Sequence, residues 1–171
     1  MCERNKTMSD ILMDIENLKQ KLYTVLHDKN LTISTAESCT GGMMGACLTS
    51  IPGISDHYGY GFVTYSNDAK QKLLGVNEDT LLKYGAVSSN VALEMAEGAL
   101  KVSGADIAVS ATGIAGPGGG TSLKPVGLVY IGFASKNKRH FKKLNLSGDR
   151  DTVRLNTVKN ILQMIIEHIE K

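Results

Sequence analysis

An apolar run near the middle of the chain restricts the fold more than any other feature. Residues 107–111 are apolar except for Ser110, and such a run is typical of a strand that is covered on both faces of its sheet. Amphipathic helices are predicted on both sides of it, over residues 88–104 and from an N-cap at Ser147 or Asp149 onwards. Helices that alternate with buried strands predict an α/β fold, a three-layer α/β/α sandwich.

The other predicted elements complete this architecture with a mixed sheet. Two strands, over residues 126–134 and 139–146, follow each other directly, which makes an otherwise partly parallel sheet mixed. The remaining predicted elements are a first helix after Ser9-Asp10, strands at 31–33 and 58–65, and helices at 43–48, 67–74 and 78–84. The length of 171 residues predicts a single domain, residues 1–171, with residues 1–8 as a flexible tail.

Composition excludes several classes of protein. No apolar run reaches the roughly 20 residues that span a bilayer, and residues 1–6 lack the apolar core of a signal peptide, so we expect a cytoplasmic protein without a membrane partner. A net charge of +2 and the absence of Trp argue against nucleic acid as a partner. Cys2, Cys39 and Cys47 are an odd number without paired spacing, so neither a disulfide framework nor a metal site is expected, and no cofactor is expected either.

Two glycine-rich stretches mark the predicted site. Residues 34–45 set hydroxyls, a thiol and a carboxylate against Gly41-Gly42, and they are expected to form a tight turn between a strand and a helix. Residues 112–121 form the second stretch, directly after the buried strand. Both stretches would follow the carboxyl ends of strands, which is where open α/β sheets bind ligands.

Ser38 is the candidate nucleophile of the first stretch, although Ser and Thr in such turns more commonly cap a helix. Neither stretch is a Walker A or dinucleotide-binding motif, and Ser38 does not lie in a GxSxG elbow. None of the four His lies beside another candidate, so the base for Ser38 would be a Lys or a Tyr. Lys70 and Lys72 point in different directions on their predicted helix, and most helix lysines are solvated.

A segment without acidic residues lies between Asp106 and Asp149. It contains six basic residues, which are Lys124, Lys136, Lys138, Arg139, Lys142 and Lys143. A positive surface there would favour an anionic small molecule such as a phosphate. A solvated edge hairpin that is guarded by lysines explains the same pattern at least as well.

Six short motifs occur in order along the chain. They are AESCTGG at 36–42, GFVTYSNDAK at 61–70, GAVS at 85–88, GIAGP at 113–117, KPVG at 124–127 and GDR at 148–150. This series resembles the CinA C-terminal-domain family, whose activity is nicotinamide-nucleotide amidase. From about residue 9 onwards the chain resembles the stand-alone deamidases, which lack the N-terminal pyrophosphatase domain of full CinA proteins. Tyr60 departs from the family pattern, where a glycine or arginine is more usual, and so does Gly118, where an aspartate is common.

The resemblance implies a Ser/Lys amidohydrolase that converts nicotinamide mononucleotide to nicotinate mononucleotide and ammonia without a metal. It implies Ser38 as the nucleophile and Lys70 as the base, with Tyr65 as a third catalytic residue. The substrate-binding residues that it implies are Glu37, Thr40, Gly41, Gly42, Asn67, Thr112, Gly113, Gly116 and Arg150. The expected partner is therefore a small nucleotide. The sequence does not decide whether the chain forms a homo-oligomer.

The chemistry sets conditions that these residues would have to meet. A lysine is a base only when neutral, so Lys70 would need a pKa lowered by burial or by nearby cations. The oxyanion formed on attack needs donors, which the backbone near Gly41-Gly42 or near Thr112-Gly113 could supply. Backbone N–H groups of a glycine-rich loop, with Arg150 or Lys124, are the candidates for holding a 5′-phosphate.

Two rival functions remain open on the sequence. A non-catalytic nucleotide-binding module, linked to competence or the DNA-damage response, would need the glycine-rich stretches but not Ser38 together with Lys70. A cysteine hydrolase would use Cys39, although no motif supplies the electropositive partner that a reactive thiolate needs.

Overall fold

The computed structural model of the protein describes residues 7–170. The α-helices in this range are α1 (Met8–Asp28), α2 (Met43–Thr49), α3 (Asn67–Leu74), α4 (Glu78–Tyr84), α5 (Ser89–Ser103) and α6 (Arg150–Ile169). The strands are β1 (Ile33–Glu37), β2 (Tyr58–Val63), β3 (Ile107–Gly113), β4 (Leu128–Ser135) and β5 (Arg139–Asn145). Every predicted helix and strand is present, and most of the differences are shifts of one to three residues at an end.

The strands form one mixed sheet in the order β2-β1-β3-β4-β5. Strand β1 is parallel to both β2 and β3, whereas β4 is antiparallel to both β3 and β5. Parallel strands that follow each other along the chain need crossover connections, which α2 supplies between β1 and β2, and α3 to α5 supply between β2 and β3. The loops that follow Glu37, Val63 and Gly113 therefore meet at one edge of the sheet.

Helices cover both faces of this sheet, which confirms the predicted three-layer α/β fold. Helices α1, α2 and α6 share a large apolar cluster with the sheet on one face. Helix α5 covers the other face, with α3 and α4 packed against it. Burial of both faces explains why residues 107–111 are apolar.

Strand β1 differs from its prediction, which placed a strand at 31–33 and a turn from residue 34. The strand runs instead over Ile33–Glu37, and all five residues are buried. Its polar side chains are satisfied inside the protein, because Ser34 and Thr35 each form a hydrogen bond with a side chain of a neighbouring element. A strand of polar residues can occupy the centre of a sheet when its hydroxyls find such partners.

The predicted flexible tail falls mostly outside the described residues. Of its last two residues, Thr7 is the N-cap of α1 and Met8 is the first residue of that helix. The Thr7 hydroxyl accepts a hydrogen bond from the Asp10 N–H at 3.2 Å, and the Asp10 carboxylate accepts one from the Thr7 N–H at 2.9 Å. This capping box starts the helix before Ser9-Asp10, where the sequence had suggested an N-cap.

None of the helices over residues 7–170 combines the length and the apolar composition that a membrane crossing requires.

Candidate active site

A cavity of about 270 Å³ lies at the edge of the sheet where the loops after β1, β2 and β3 meet. Most of the predicted site residues line it. The lining consists of Ser38, Cys39, Tyr65, Asn67, Lys70, Ala86, Val87, Thr112, Gly113, Ile114, Ala115, Gly116, Gly118, Gly119 and Arg150. Both glycine-rich stretches therefore contribute residues to one pocket, beside the strand ends that they follow.

The turn that presents Ser38 depends on two glycines. Gly41 and Gly42 have φ angles of +59° and +93°, in the left-handed region that side-chain-bearing residues rarely adopt. The Ser38 N–H donates to the carbonyl of Ala111 on β3 at 2.9 Å, which ties the start of the turn to the sheet. Ser38 itself is half-buried, and its side chain lines the cavity.

Glu37 does not line the cavity, and its carboxylate holds the start of α2 instead. The carboxylate accepts hydrogen bonds from the N–H groups of Gly42 at 3.0 Å, Met44 at 3.0 Å and Gly45 at 2.8 Å. These are among the amides that a helix leaves without internal acceptors, and a negative charge also suits that end of the helix dipole. The geometry therefore gives Glu37 a structural role, since its charge is turned away from the pocket.

Thr40, Gly41 and Gly42 are the other predicted binding residues that do not line the cavity. The Gly41 N–H donates to the Ser38 carbonyl at 3.1 Å, and the Gly42 N–H is committed to Glu37. Neither amide is therefore free to stabilise an oxyanion. Thr40 is fully buried, and its hydroxyl has no hydrogen-bond partner among the residues that the structure describes.

Lys70 lies beside Ser38 in the interior. Its side chain leaves α3 toward the sheet, and the residue is only 1% exposed. The Lys70 Nζ atom lies 3.1 Å from Ser38 Oγ and donates to the Thr64 carbonyl at 2.8 Å. Lys72, by contrast, is exposed on the same helix and pairs with Asp68.

Burial lowers the pKa of Lys70 below its ordinary value, because removal from water disfavours the charged ammonium. The two contacts suit a neutral amine, which has two N–H donors and one lone pair. One N–H can bond to the Thr64 carbonyl while the lone pair faces the Ser38 hydroxyl. The arrangement can therefore take the proton of Ser38.

Tyr65 and Arg150 lie together at the mouth of the cavity. The Tyr65 side chain is 64% exposed, and its hydroxyl accepts a hydrogen bond from Arg150 Nη2 at 3.2 Å. Arg150 Nη1 donates to the carbonyl of Gly116 at 2.8 Å, so the guanidinium bridges the two sides of the mouth. The geometry makes Tyr65 a rim residue. Asn67 follows it as the first residue of α3 and also lines the cavity.

Thr112 and Gly113 end β3 and form another wall of the cavity. Thr112 is buried, and its hydroxyl donates to the Ala86 carbonyl at 2.7 Å, which links this wall to the loop before α5. The Ile114 N–H donates to Leu128 on β4 at 2.9 Å. Because consecutive N–H groups of a strand alternate in direction, the Gly113 N–H points the other way, toward the Ser38 side. Gly113 is thus the backbone donor that the geometry leaves near the nucleophile.

Lys124, an alternative phosphate ligand, does not line the cavity. Its Nζ donates to the Tyr84 carbonyl at 2.6 Å, which anchors the segment after the second glycine-rich stretch to the end of α4.

Arg154 is a residue near the site that the sequence reasoning missed. It lies one turn after Arg150 on α6, and its Nη2 donates to the Thr40 carbonyl at 2.8 Å. The two arginines therefore connect α6 to both glycine-rich stretches. Their spacing of four residues, which places them on one face of a helix, is the signal that could have identified Arg154.

Cys39 is a poor nucleophile in this setting. The residue is buried, and burial, with a smaller effect of the Glu37 charge, raises the pKa of its thiol to about 12. A thiol with such a pKa carries almost no reactive thiolate near neutral pH. Within residues 7–170, no three His, Cys, Asp or Glu side chains are grouped so that they could hold a metal ion.

The fold and these motifs match known proteins. The model of the CinA C-terminal domain family matches residues 15–169. A homologue from Clostridium novyi, named a competence-damage inducible protein, is 54% identical over 148 residues, which are 86% of this chain and 36% of the homologue. The chain thus spans little more than a third of the length of that curated relative.

Solved structures match over nearly their whole length. The competence/damage inducible protein CihA from Agrobacterium tumefaciens is 46% identical with a TM-score of 0.89, and the match covers 92% of this chain and 96% of that one. A CinA superfamily protein from Escherichia coli is 36% identical with a TM-score of 0.87, over 95% of this chain and 94% of that one.

Proposed function

The chain belongs to the CinA C-terminal domain family, and from this premise and the geometry around Ser38 we propose that it is an amidohydrolase that converts nicotinamide mononucleotide to nicotinate mononucleotide and ammonia. The observation that supports the proposal most is the buried Lys70, whose Nζ lies 3.1 Å from Ser38 Oγ. Burying a lysine without an acidic partner is costly, and such perturbed groups concentrate at functional sites.

The reaction would proceed through an ester of Ser38. Neutral Lys70 takes the hydroxyl proton of Ser38 as Oγ bonds to the carboxamide carbon, and the carbonyl electrons move to oxygen. When the tetrahedral intermediate collapses, the C–N bond breaks and Lys70 returns the proton to the leaving nitrogen, which releases ammonia. Water then attacks the ester with Lys70 again as the base, and nicotinate mononucleotide leaves with Ser38 restored.

The oxyanion of the intermediate would be stabilised from the second glycine-rich stretch. The Gly41 and Gly42 amides already have acceptors, whereas the alternation of N–H directions along β3 leaves the Gly113 N–H on the Ser38 side. One well-placed oxyanion donor is worth about 3 kcal/mol of transition-state stabilisation.

The proposal is tested by incubating the purified protein with nicotinamide mononucleotide and measuring the ammonia and nicotinate mononucleotide released. We expect both products in equal amounts. A wild-type protein that binds the nucleotide but releases neither product would instead support the non-catalytic module.

The rate should depend on the protonation of Lys70. Because only the neutral amine accepts the Ser38 proton, kcat/KM should be low below the pKa of Lys70 and rise with pH through it. Burial lowers that pKa, so the rise should come below the range in which an ordinary lysine titrates. Initial rates across a pH series locate the midpoint, and a rate that falls with increasing pH would contradict a lysine base.

Arg150 should contribute chiefly to substrate binding. A guanidinium has five N–H donors, and the two hydrogen bonds of Arg150 leave donors for a phosphate at the mouth of the cavity. We expect Arg150→Ala to raise KM by about ten- to a hundredfold, the worth of one charge-assisted hydrogen bond, with a smaller change in kcat. The nucleoside should lose little from the same substitution, and equal losses for the nucleoside and the nucleotide would argue against a phosphate contact.

Activity should not require a metal ion, because Ser38 and Lys70 supply the nucleophile and the base. We expect dialysis against a strong chelator to leave kcat unchanged. Loss of activity that added zinc or magnesium restores would contradict this prediction.

A further inference from the structure

Arg154 is a half-buried cation of α6 that lies against the turn formed by residues 38–42, the nucleophile turn. Its side chain is 23% exposed, and its Nη2 donates to the Thr40 carbonyl at 2.8 Å. Nη1 makes a longer contact of 3.4 Å with the exposed carboxylate of Asp151. Nε is buried, and no hydrogen-bond partner for it lies among residues 7–170. Partial burial of a guanidinium with an unpaired N–H costs stability, so stability alone does not explain this position.

The Thr40 carbonyl holds the middle of the nucleophile turn. Besides Arg154 Nη2, it accepts the N–H of Met43, the first residue of α2, at 3.2 Å. A β-carbon placed on Gly41 would lie 3.7 Å from Arg154 Nη2, so the guanidinium also packs against the backbone of the next residue. Arg154 therefore contacts the turn at the second and third residues after Ser38.

Lys70 is held by other contacts. Its Nζ donates to the Thr64 carbonyl at 2.8 Å, and the Thr64 N–H donates to the Glu37 carbonyl at 2.8 Å. The distance of 3.1 Å between Ser38 Oγ and Lys70 Nζ thus joins two separately held groups. Displacement of a reacting group by about 1 Å can lower a rate about 100-fold. Loss of the Arg154 contact should therefore displace Ser38 and leave the surroundings of Lys70 unchanged.

Arg154 differs from Arg150 in what it contacts. Arg150 lines the cavity and bridges the two sides of its mouth. Arg154 is not one of the lining residues, and its Nη2 is committed to the Thr40 carbonyl. It is therefore not placed to hold the phosphate of a bound nucleotide. An effect of Arg154 on the reaction would have to pass through the nucleophile turn.

We propose that Arg154 is a positioning residue, which holds the nucleophile turn so that Ser38 Oγ lies within reach of Lys70 Nζ, a role that rests on the proposed function for its substrate. A positioning residue and a substrate ligand differ in their kinetics. Loss of the first lowers kcat, whereas loss of the second chiefly raises KM. The pH at which the rate rises should also stay at its wild-type value, because Arg154 does not contact the base.

Arg154→Met, assayed with nicotinamide mononucleotide, tests this role. Methionine keeps part of the stem of the arginine and removes its donors. We expect kcat to fall about ten- to a hundredfold, with KM within about twofold of wild type and the midpoint of the pH profile unchanged. An unchanged kcat, or a raised KM at constant kcat, overturns the proposal.

Two further variants make the test specific. Arg154→Lys keeps a cation that can donate to Thr40 and should lose less kcat; if Arg154→Met fails to fold by circular dichroism, a wild-type kcat in Arg154→Lys overturns the proposal. Lys159→Met is the matched control, because Lys159 also lies on α6 and is 14% exposed, but its Nζ pairs with Asp14 on α1 at 3.7 Å. The folded control should keep its kcat. An equal fall of kcat in the control would contradict a specific role of Arg154.

A fluorophosphonate probe measures the reactivity of Ser38 without the nucleotide. The Ser38 Oγ–P bond forms and the P–F bond breaks, Lys70 takes the hydroxyl proton and fluoride leaves. We expect mass spectrometry to find the label on Ser38, with Arg154→Met labelled about ten times more slowly than the wild type and Lys159→Met labelled equally fast. This result supports the positioning role even if the wild type releases no ammonia from the nucleotide. Equal labelling and equal kcat in Arg154→Met overturn the role and leave the proposed function standing.

Discussion

Ser38→Ala and Lys70→Met are each expected to lower kcat by about 10⁴-fold or more, because a nucleophile and its base act as one unit. Ser38 supplies the attacking oxygen, and Lys70 is the described amine within hydrogen-bond distance of it. Methionine keeps the volume of the buried lysine stem, so the fold should survive this substitution. Ammonia release under saturating nucleotide measures kcat, and circular dichroism verifies the fold.

Three further variants separate this mechanism from its alternatives. The double variant should be little slower than either single variant, since the second change removes an already disabled partner. Lys70→Arg should be inactive, because a guanidinium stays protonated and cannot act as the base. Cys39→Ala should stay active, because the thiol is buried with its pKa raised to about 12. An inactive Cys39→Ala protein with an active Ser38→Ala protein would move the chemistry to the thiol.

Elements with local end signals could be predicted from the sequence. Helix α3 begins after Ser66, whose hydroxyl accepts from the Ala69 N–H at 3.0 Å, and it ends at Gly75 in the left-handed conformation. Helix α5 likewise follows a serine cap at Ser88 and stops at Gly104. Such signals operate over a few residues, so they can be recognised without knowledge of the fold.

That residues 34–37 form a buried strand could not be predicted, because the hydrogen-bond partners of its hydroxyl side chains lie far away in the sequence. Thr35 is satisfied by the Tyr58 hydroxyl 23 residues later, and Ser34 by Ser103 69 residues later. A polar run with distant partners has the same local pattern as a loop. The burial of Lys70 is a related case. A helix lysine is usually solvated, and this one is buried because α3 lies close to the turn that presents Ser38.

Arg150 and Arg154 illustrate the same limit within the candidate site. The late arginine motif identified Arg150, but its contacts with Tyr65 and Gly116 join parts of the chain 85 and 34 residues away. Contacts of this kind depend on where α6 docks, which in turn depends on its buried stripe against α1 and the sheet. Motifs can therefore identify site residues from the sequence, whereas the packing that positions these residues is seen only in the structure.

Glu37→Ala is expected to destabilise the fold by about 3–6 kcal/mol, because it leaves three N–H groups of the first turn of α2 without their acceptor. The site is buried, so water cannot readily replace the carboxylate. Glu37→Gln keeps the shape and one acceptor oxygen, and it should lose less stability than alanine does. Urea denaturation gives the change in the free energy of unfolding. The slope of that free energy against urea concentration should equal the wild-type slope, which shows that the same surface is exposed on unfolding.

The surface substitution Glu97→Ala is the matched control, because it removes a glutamate whose ion pair with Arg139 is exposed. Exposed ion pairs contribute little to stability, so the midpoint of urea denaturation should hardly move. The same carboxylate of Glu37 also fixes the turn that presents Ser38, so the folded fraction of Glu37→Gln should show a lower kcat without a matching rise in KM. A substrate ligand would behave in the opposite way, with KM raised and stability unchanged. That outcome would return Glu37 to the binding role that the family motif implies and contradict the structural role that its three hydrogen bonds indicate.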